Sequence, residues 1–401
     1  MSNIYAALEI GTTKTVLAVG EGETGERLQV TCHAEIPSAG VRKSQILDIN
    51  QVTQSVRGVL HEIERKQSEA GSSITIGNAF LVVSGQHIKA DPFAGSTLVD
   101  GRVTEADLAE VAESARTMAL PKDRELLDIA DQAYSLDSLG GISTPVGMAG
   151  RILKLDTLHI HADKNRIEDA KTAADGAHLE IREPLFATTC AADAVLEEHE
   201  RRNGALVLDL GGGSTGYAAY CDGYLVSAGV IGVGGDHVTN DIAHAFQTTQ
   251  GQAEALKINE ASAMLGRGET ESARVKVPGS SPLMESRTVS RRALDTVVNA
   301  RLRELFAVLR ETLEEQDLLH RLHAGVVLTG GGSAMRDIDE LVHRELGMNV
   351  RRGRPIHVDG LDKESNPAAF AAIAGALAYA HHNYAEKPLF GFDRILKGLF
   401  K

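Results

Sequence analysis

Residues 205–220 read ALVLDLGGGSTGYAAY: an apolar run ending in an acid, three consecutive glycines followed by Ser214 and Thr215, and a second short apolar run. That order predicts a strand, a tight turn and a second strand. Glycine lets backbone N–H groups approach phosphate oxygens closely, and hydroxyl side chains add donors. The turn is therefore expected to hold a phosphate through Gly211, Gly212, Gly213 and Ser214. Half a chain earlier the device recurs as YAALEIGTTKTVLAV (5–19), with Glu9 aligned on Asp209, Gly11 on Gly211 and Leu8 on Leu208. The long offset predicts a duplicated core rather than a short-period repeat. Here Gly11, Thr12, Thr13 and Lys14 are the expected phosphate contacts.

A third element, VVLTGGGSAMRDID (326–339), predicts a strand, a glycine turn at Gly330, Gly331, Gly332 and Ser333, and a helix start. Such a turn lets a flat base or ribose lie against bare backbone. Two ordinary hairpins with no ligand are the bland alternative, and the third turn disfavours it. No GxxxxGK[ST] is present, nor a GxGxxG followed by an acid, which excludes a P-loop and disfavours a Rossmann site. Asp209 and Glu9 end their strands, and an acid placed so holds Mg²⁺ through water, since Mg²⁺ keeps several waters and takes few carboxylates.

The 401 residues suffice for two to four compact units, and 43% apolar with 24% charged residues excludes disordered, collagenous and disulfide-scaffold classes. With 41 basic against 55 acidic side chains the formal charge is −14, so no nucleic-acid partner is expected. Aromatics at 4% and the absence of Trp disfavour a stacking platform for single strands. Cys32, Cys190 and Cys221 form no CxxC pair, which suits a reducing compartment. The first residues resemble no signal peptide, and no apolar run reaches the ~18 residues of a spanning helix, so a cytoplasmic location is expected.

Between the glycine turns the chain alternates. Helices are expected over 52–67, 165–177, 187–199, 236–246, 252–264, 290–322 and 366–380, and a buried strand over 74–83. Residues 84–164 are strand-rich around one helix capped by Thr104 with Asp107, whose apolar face is Leu108, Val111, Ala112, Ala115 and Met118. This stretch predicts an inserted subdomain. Residues 266–289 predict loop and short strand.

The set resembles the actin/Hsp70/sugar-kinase superfamily: LEIGTTKT (8–15), EPLFATTCAADAVL (183–196), LDLGGGST (208–215), VVLTGGGSAM (326–335) and NPAAFAAIAGALAY (366–379) stand where its two phosphate, two connecting and one adenosine motifs would. Within it the chain resembles the FtsA family, which ties FtsZ filaments to the membrane in bacterial division. SGQHI (84–88), DIAHAF with AEALK (241–257) and the C-terminal segment carry that likeness. The resemblance implies an α/β actin-like duplicated ATPase core, its two halves RNase H-like. Subdomain 1A would span 1–81 and 165–202, the inserted 1C 82–164, 2A 203–240 and 323–384, and 2B 241–322. A linker at 385–389 and an amphipathic helix at 390–401 would follow.

The resemblance further implies ATP and Mg²⁺ as cofactors, with Asp209 the Mg²⁺-associated acid and Glu9 beside it. It implies Glu183 as the residue orienting attacking water, and Gly232, Gly234, Gly235, Glu254 and Lys257 as ribose and adenine contacts. The second acid many relatives carry after the phosphate-2 Thr is Gly216 here, which argues for binding over fast hydrolysis. Arg287 and Arg301 fall where the family's 2B subdomain meets the FtsZ C-terminal tail or another copy of itself; a charged helix face is the alternative.

The segment FGFDRILKGLFK (390–401), as a helix, aligns Phe392, Ile395, Leu396, Leu399 and Phe400 in one stripe. Arg394, Lys397 and Lys401 lie elsewhere and complete the expected membrane-binding set. An in-plane helix on inner-membrane lipid is expected, against the alternative of docking on the protein's own core. One such helix binds weakly; several on a polymer gain by avidity. The resemblance thus implies an ATP-binding, polymerising division protein, peripheral on the cytoplasmic face of the inner membrane at the division site, with slow or no ATPase activity. Other division proteins are expected to meet 1C. Rival readings are a pilus-assembly adaptor and a sugar or acid kinase on the same fold. His159 and His161 alternate on a strand without an evident third metal ligand, and His381–His382 predicts a solvated helix end.

Overall fold

Each glycine-turn hairpin founds its own sheet. The computed structural model describes residues 3–71, 74–117, 120–266, 273–277, 279, 286–361 and 363–384. In the first half, Asn3–Ile10 pairs antiparallel with Lys14–Gly22 and parallel with Asn78–Val83. Leu28–Pro37 and Glu180–Phe186 flank them, and the two-residue strand Val358–Asp359 closes one edge. In the second half, Ala205–Leu210 pairs antiparallel with Thr215–Cys221 and parallel with Gly325–Thr329, with Tyr224–Ile231 and Val350–Arg352 outside. Five strands of each sheet thus run in the same order. The duplication read from aligned acids and glycines is a duplication of topology.

The central strands are Val, Leu and Ala runs buried along nearly their whole length, and Thr215–Cys221 is buried throughout. Strands covered on both faces read as such continuous apolar runs. Ile49–Glu69, N-capped by Asp48, covers one face of the first sheet with Val52, Val56, Val59 and Ile63. Two Ala-rich helices, Ala187–Val195 and Ala371–Tyr384, pack on each other and reach strands of both halves. They approach so closely that a Cβ on Gly375 would stand 1.8 Å from the Cys190 carbonyl oxygen.

Residues 89–163 form a separate four-stranded sheet, ordered Lys89–Leu98, Ile152–Asp163, Arg124–Leu136 and Leu139–Ile142. Helix Glu105–Arg116, held by the Thr104–Asp107 capping box, packs on it over a small core of Val111, Ala115, Leu153 and Leu155. Among the described residues of 235–315, by contrast, no separate core forms. Leu294, Val298, Leu305 and Leu309 join Leu206 and Leu208 of the second sheet in one apolar cluster.

Several expected helices differ. The one predicted over 187–199 stops at Val195, because Leu196 is extended (φ −90°, ψ 133°) and Glu197 with Glu200 caps a new helix, Glu198–Asn203. The long helix ends at Glu315 rather than 322, before Asp317 at φ 55° and the 3₁₀ turn Leu319–Arg321. The helix over 252–264 is Gln250–Asn259, and the one over 366–380 begins as the 3₁₀ turn Pro367–Phe370 and runs on to Tyr384. His381 is not simply solvated: its ring meets Tyr5 edge-on and its Nε2 lies 3.0 Å from the Glu26 carbonyl oxygen. Met118, the linker and the whole segment 390–401 with its expected membrane contacts lie outside the described residues. Among the described residues no helix is long and apolar enough to cross a membrane.

Candidate nucleotide cleft

The two glycine turns that end in Lys14 and Ser214 close alike. Gly11 N–H donates to the Lys14 carbonyl at 3.0 Å, and Gly211 N–H to the Ser214 carbonyl at 3.1 Å. They also interlock across the halves. A Cβ on Gly212 would stand 2.1 Å from Thr13 Oγ1, and one on Gly213 2.4 Å from Thr12 Oγ1. A side chain at either glycine would require the facing threonine, and at 213 also the Ser44 backbone, to give way.

Between the turns lies a cavity of about 360 Å³. Its two ends differ in chemistry. Hydroxyls of Thr12, Ser44, Ser84 and Ser214 gather at one end, with Ser44 Oγ 3.1 Å and Ser84 Oγ 3.4 Å from Ser214 Oγ. Val238, Ile258, Leu302, Leu305, Met335 and Ile338, all from the second half, wall the other. A ligand with a flat apolar ring and an anionic tail matches this polarity.

At the wall, Gly330, Gly331 and Gly332 line the cavity, Gly330 with φ 78° and its N–H donating to the Ala368 carbonyl. Ser333 is buried behind them, its hydroxyl donating to the Gly330 carbonyl at 2.7 Å. Gly234 and Gly235 line the cavity where helix Gly235–Ala245 starts, and the N–H groups of Gly235 and Asp236 donate to the carbonyls of Gly211 and Gly212. Lys257 and Glu254 also line it. The Lys257 ammonium pairs with Glu254 at 2.7 Å and donates to Thr239 Oγ1 and the Gly235 carbonyl. Gly232 stands outside the lining, packed so tightly on Gln86 that a Cβ would meet its amide at 1.6 Å. Lys14 lines the cavity, but its ammonium is held by Glu35 at 2.5 Å over the Phe370 ring.

Glu9 and Asp209 face the cavity from the ends of the paired strands. Burial pushes Glu9 up to about 7, helped by the charge of Asp209, and burial pushes Asp209 up to about 6. Two carboxylates this costly to ionise are a donor set that a hydrated Mg²⁺ would neutralise. Among the described residues no group of three or more His, Cys, Asp or Glu can hold a metal alone. The acids therefore fit a cation that keeps its waters and takes oxygens from a ligand. His161 is no ligand: its Nε2 lies 2.9 Å from Asp91 and Arg124 donates to its Nδ1.

The expectation for Glu183 is overturned. It does not line the cavity. Its carboxylate accepts from Tyr379 Oη at 3.1 Å and Tyr384 Oη at 2.7 Å, in the last turns of the Ala-rich helix. At Gly216 a Cβ would stand 1.8 Å from Thr188 Oγ1, so the neighbouring helix already fills that space.

Sequence reasoning missed Ser44, Ser84 and the apolar wall. Arg301 is held within its own chain, its Nε and Nη2 donating to Asp241 at 2.6 and 3.1 Å and its Nη1 to Glu304. Arg287 donates to the Phe246 carbonyl.

A family model described as Cell division protein FtsA matches residues 206–375, and one described as SHS2 domain inserted in FTSA matches residues 85–161. A Cell division protein FtsA of Pseudomonas aeruginosa is 33% identical over 382 residues, which is 94% of this chain and 89% of the relative. A PilM-PilN type IV pilus biogenesis complex aligns with 94% of this chain and 98% of its own, at TM-score 0.63 and 18% identity. MreB 5 of Spiroplasma citri bound to AMPPNP aligns with 94% of this chain and 96% of its own, at TM-score 0.56 and 14% identity. At these identities the structural likeness speaks to the fold alone, which is actin-like.

Proposed function

The chain belongs to the FtsA family of cell division proteins, and on that premise we propose that it is an actin-like division protein that binds Mg-ATP between its halves and assembles into filaments on the membrane. The interlock of Thr12 and Thr13 with Gly213 and Gly212 carries this reading. It supports a phosphate chain cradled by backbone N–H groups from both turns, which ties lobe position to ligand. Gly330–Gly332 and the apolar wall suit the adenosine, with Glu254 and Lys257 at the ribose edge. Asp209 and Glu9 would hold Mg²⁺ through water, which supplies charge neutralisation at the phosphates. The place of Glu183 outside the cavity lining and the filled space at Gly216 support binding with slow or no hydrolysis.

The stripe Phe392, Ile395, Leu396, Leu399 and Phe400, with Arg394, Lys397 and Lys401, is the proposed membrane contact on the cytoplasmic face of the inner membrane. At ~1.5–3 kcal/mol of gross burial per apolar side chain, one helix still binds weakly once ordering is counted, so attachment would follow polymerisation. Residues 241–322, including Arg287 and Arg301, are the proposed contact for the FtsZ C-terminal tail and for self-assembly, and the inserted sheet that for other division proteins.

Co-sedimentation with anionic vesicles tests the reading, using the full chain and a 1–388 truncation, with and without Mg-ATP, and a labelled FtsZ tail peptide. Pelleting that needs both the tail and ATP, and that recruits the peptide, is expected. Equal pelleting of the truncation would assign 390–401 to the protein's own core, and a kinase screen would follow.

A further inference from the structure

The hydroxyl end of the cleft includes a segment that no sequence motif marks. Val41–Arg42 pairs with Gln45–Ile46 in a two-residue hairpin whose tip is Lys43 and Ser44. Both tip residues are left-handed, Lys43 at φ 50° and Ser44 at φ 57°. A hairpin turn with positive φ at both central positions favours Asn-Gly, and Lys-Ser in it is strained. Strain of this kind persists where the surroundings impose it and often marks function.

The surroundings do impose it. Ser44 N–H donates to Thr12 Oγ1 at 2.9 Å, and Ser44 Oγ lies 3.1 Å from Ser214 Oγ of the other half. Gly213 presses on the same point: a Cβ there would stand 2.7 Å from both Ser44 N and Ser44 Oγ. Gly85 backs the tip, with the Ser44 carbonyl 3.2 Å from where its Cβ would be. Arg166 donates to Gln45 at 3.3 Å and anchors the flank. Lys43 is exposed, forms no ion pair among the described residues, and is near enough to the helix start at His237 to act on that ring by charge.

Through Ser44 the hairpin therefore reaches both glycine turns and the cavity lining, while Lys43 stands just outside that lining. A nucleotide whose base lay on the apolar wall would extend its phosphates toward these turns. We propose that the Lys43–Ser44 turn reads the terminal phosphate, so that the cleft prefers a nucleoside triphosphate to the diphosphate. Ser44 supplies a hydroxyl that turns from Ser214 to a phosphate oxygen, and Lys43 supplies a cation for the extra charge. The inference rests on the nucleotide reading above and adds its specificity.

The test is equilibrium titration of the full chain with Mg-AMPPNP and Mg-ADP, for wild type, Ser44→Ala and the double variant K43N/S44G. The double variant installs the favoured turn and removes both contacts, so its thermal stability without nucleotide should equal or exceed wild type. Triphosphate affinity should fall about tenfold in it, and severalfold in Ser44→Ala, with ADP affinity unchanged within about twofold. An equal loss for both nucleotides would make the hairpin a general clamp, and no loss would remove it from the site; either overturns the inference alone. Wild type that binds neither nucleotide would overturn the nucleotide reading itself, and this inference with it.

Discussion

Thr13 and Gly212 meet across the cleft: a Cβ on the glycine would lie 2.1 Å from the threonine hydroxyl oxygen but 3.4 Å from its Cβ. The first distance is a collision and the second an ordinary contact. The Thr13 hydroxyl is thus the main obstacle to a side chain at position 212, with Asp236 Oδ1 next at 3.3 Å. Gly212→Ala should destabilise the chain by about 1–3 kcal/mol, the usual range for overpacking. Adding Thr13→Ala should recover most of that loss in a thermal melt without nucleotide, while nucleotide affinity stays low because a phosphate donor is gone. Melts in which the second substitution deepens the loss would refute the interlock.

The paired acids make stability depend on pH. Glu9 rises from 4.5 to about 7 and Asp209 from 3.8 to about 6 on folding. Between the unfolded and folded values the native state holds protons that the unfolded chain has released. Stability from these groups is therefore greatest at low pH and falls as pH climbs through about 6 and then 7. Glu9→Gln should raise Tm at pH 8 by at least about 2 °C, the response to roughly 1 kcal/mol in a large domain. At pH 4.5 it should leave Tm unchanged. The Mg²⁺-dependent part of ATP affinity should weaken as pH drops below about 6, where protons compete at Asp209.

Glu183 illustrates what a motif can and cannot specify. Its place after the inserted subdomain was legible; the strand that carries it, Glu180–Phe186, was not. Its side chain, however, answers to Tyr379 and Tyr384, nearly two hundred residues later. Hydrogen bonds to a charged carboxylate are worth about 1.5–3 kcal/mol, so Glu183→Gln should lower Tm measurably. Nucleotide affinity should stay within about twofold of wild type, as read by the same titration. A selective loss of ATP turnover with unchanged Tm would return Glu183 to the cleft.

Local signals fared best. Glycine turns after apolar strands disclosed both hairpins and the turn at Gly330–Gly332, because residue type alone signals such a chain reversal. The Thr104–Asp107 box was legible for the same reason. Ser44 and Ser84 were not, since a hydroxyl facing a distant turn leaves no periodic trace. The break at Leu196 was hidden because apolar spacing continues through it and the acids that cap the next helix read as surface charge. The shared core of 235–315 and the second sheet was equally hidden, because apolar spacing places a helix face but not the sheet it covers.

Gly375 sets how closely the two Ala-rich helices approach. Ala187–Val195 touches strands of the second sheet and Ala371–Tyr384 those of the first, so their contact fixes one half against the other. A Cβ at 375 would stand 1.8 Å from the Cys190 carbonyl oxygen and 2.4 Å from its carbon, which are backbone atoms that cannot turn aside. Gly375→Ala must therefore separate the helices, and helix propensity, which favours Ala by about 1 kcal/mol, cannot offset that. The expected outcome is a lower Tm together with weaker nucleotide binding, because the phosphate turns of the two halves would no longer meet at Thr12 and Thr13. Substituting Ala378 by Gly on the same helix provides the control. It costs helix propensity without forcing the helices apart, so Tm should fall modestly and nucleotide affinity should hold. Equal affinity in the two variants would show that the helix contact does not set the cleft.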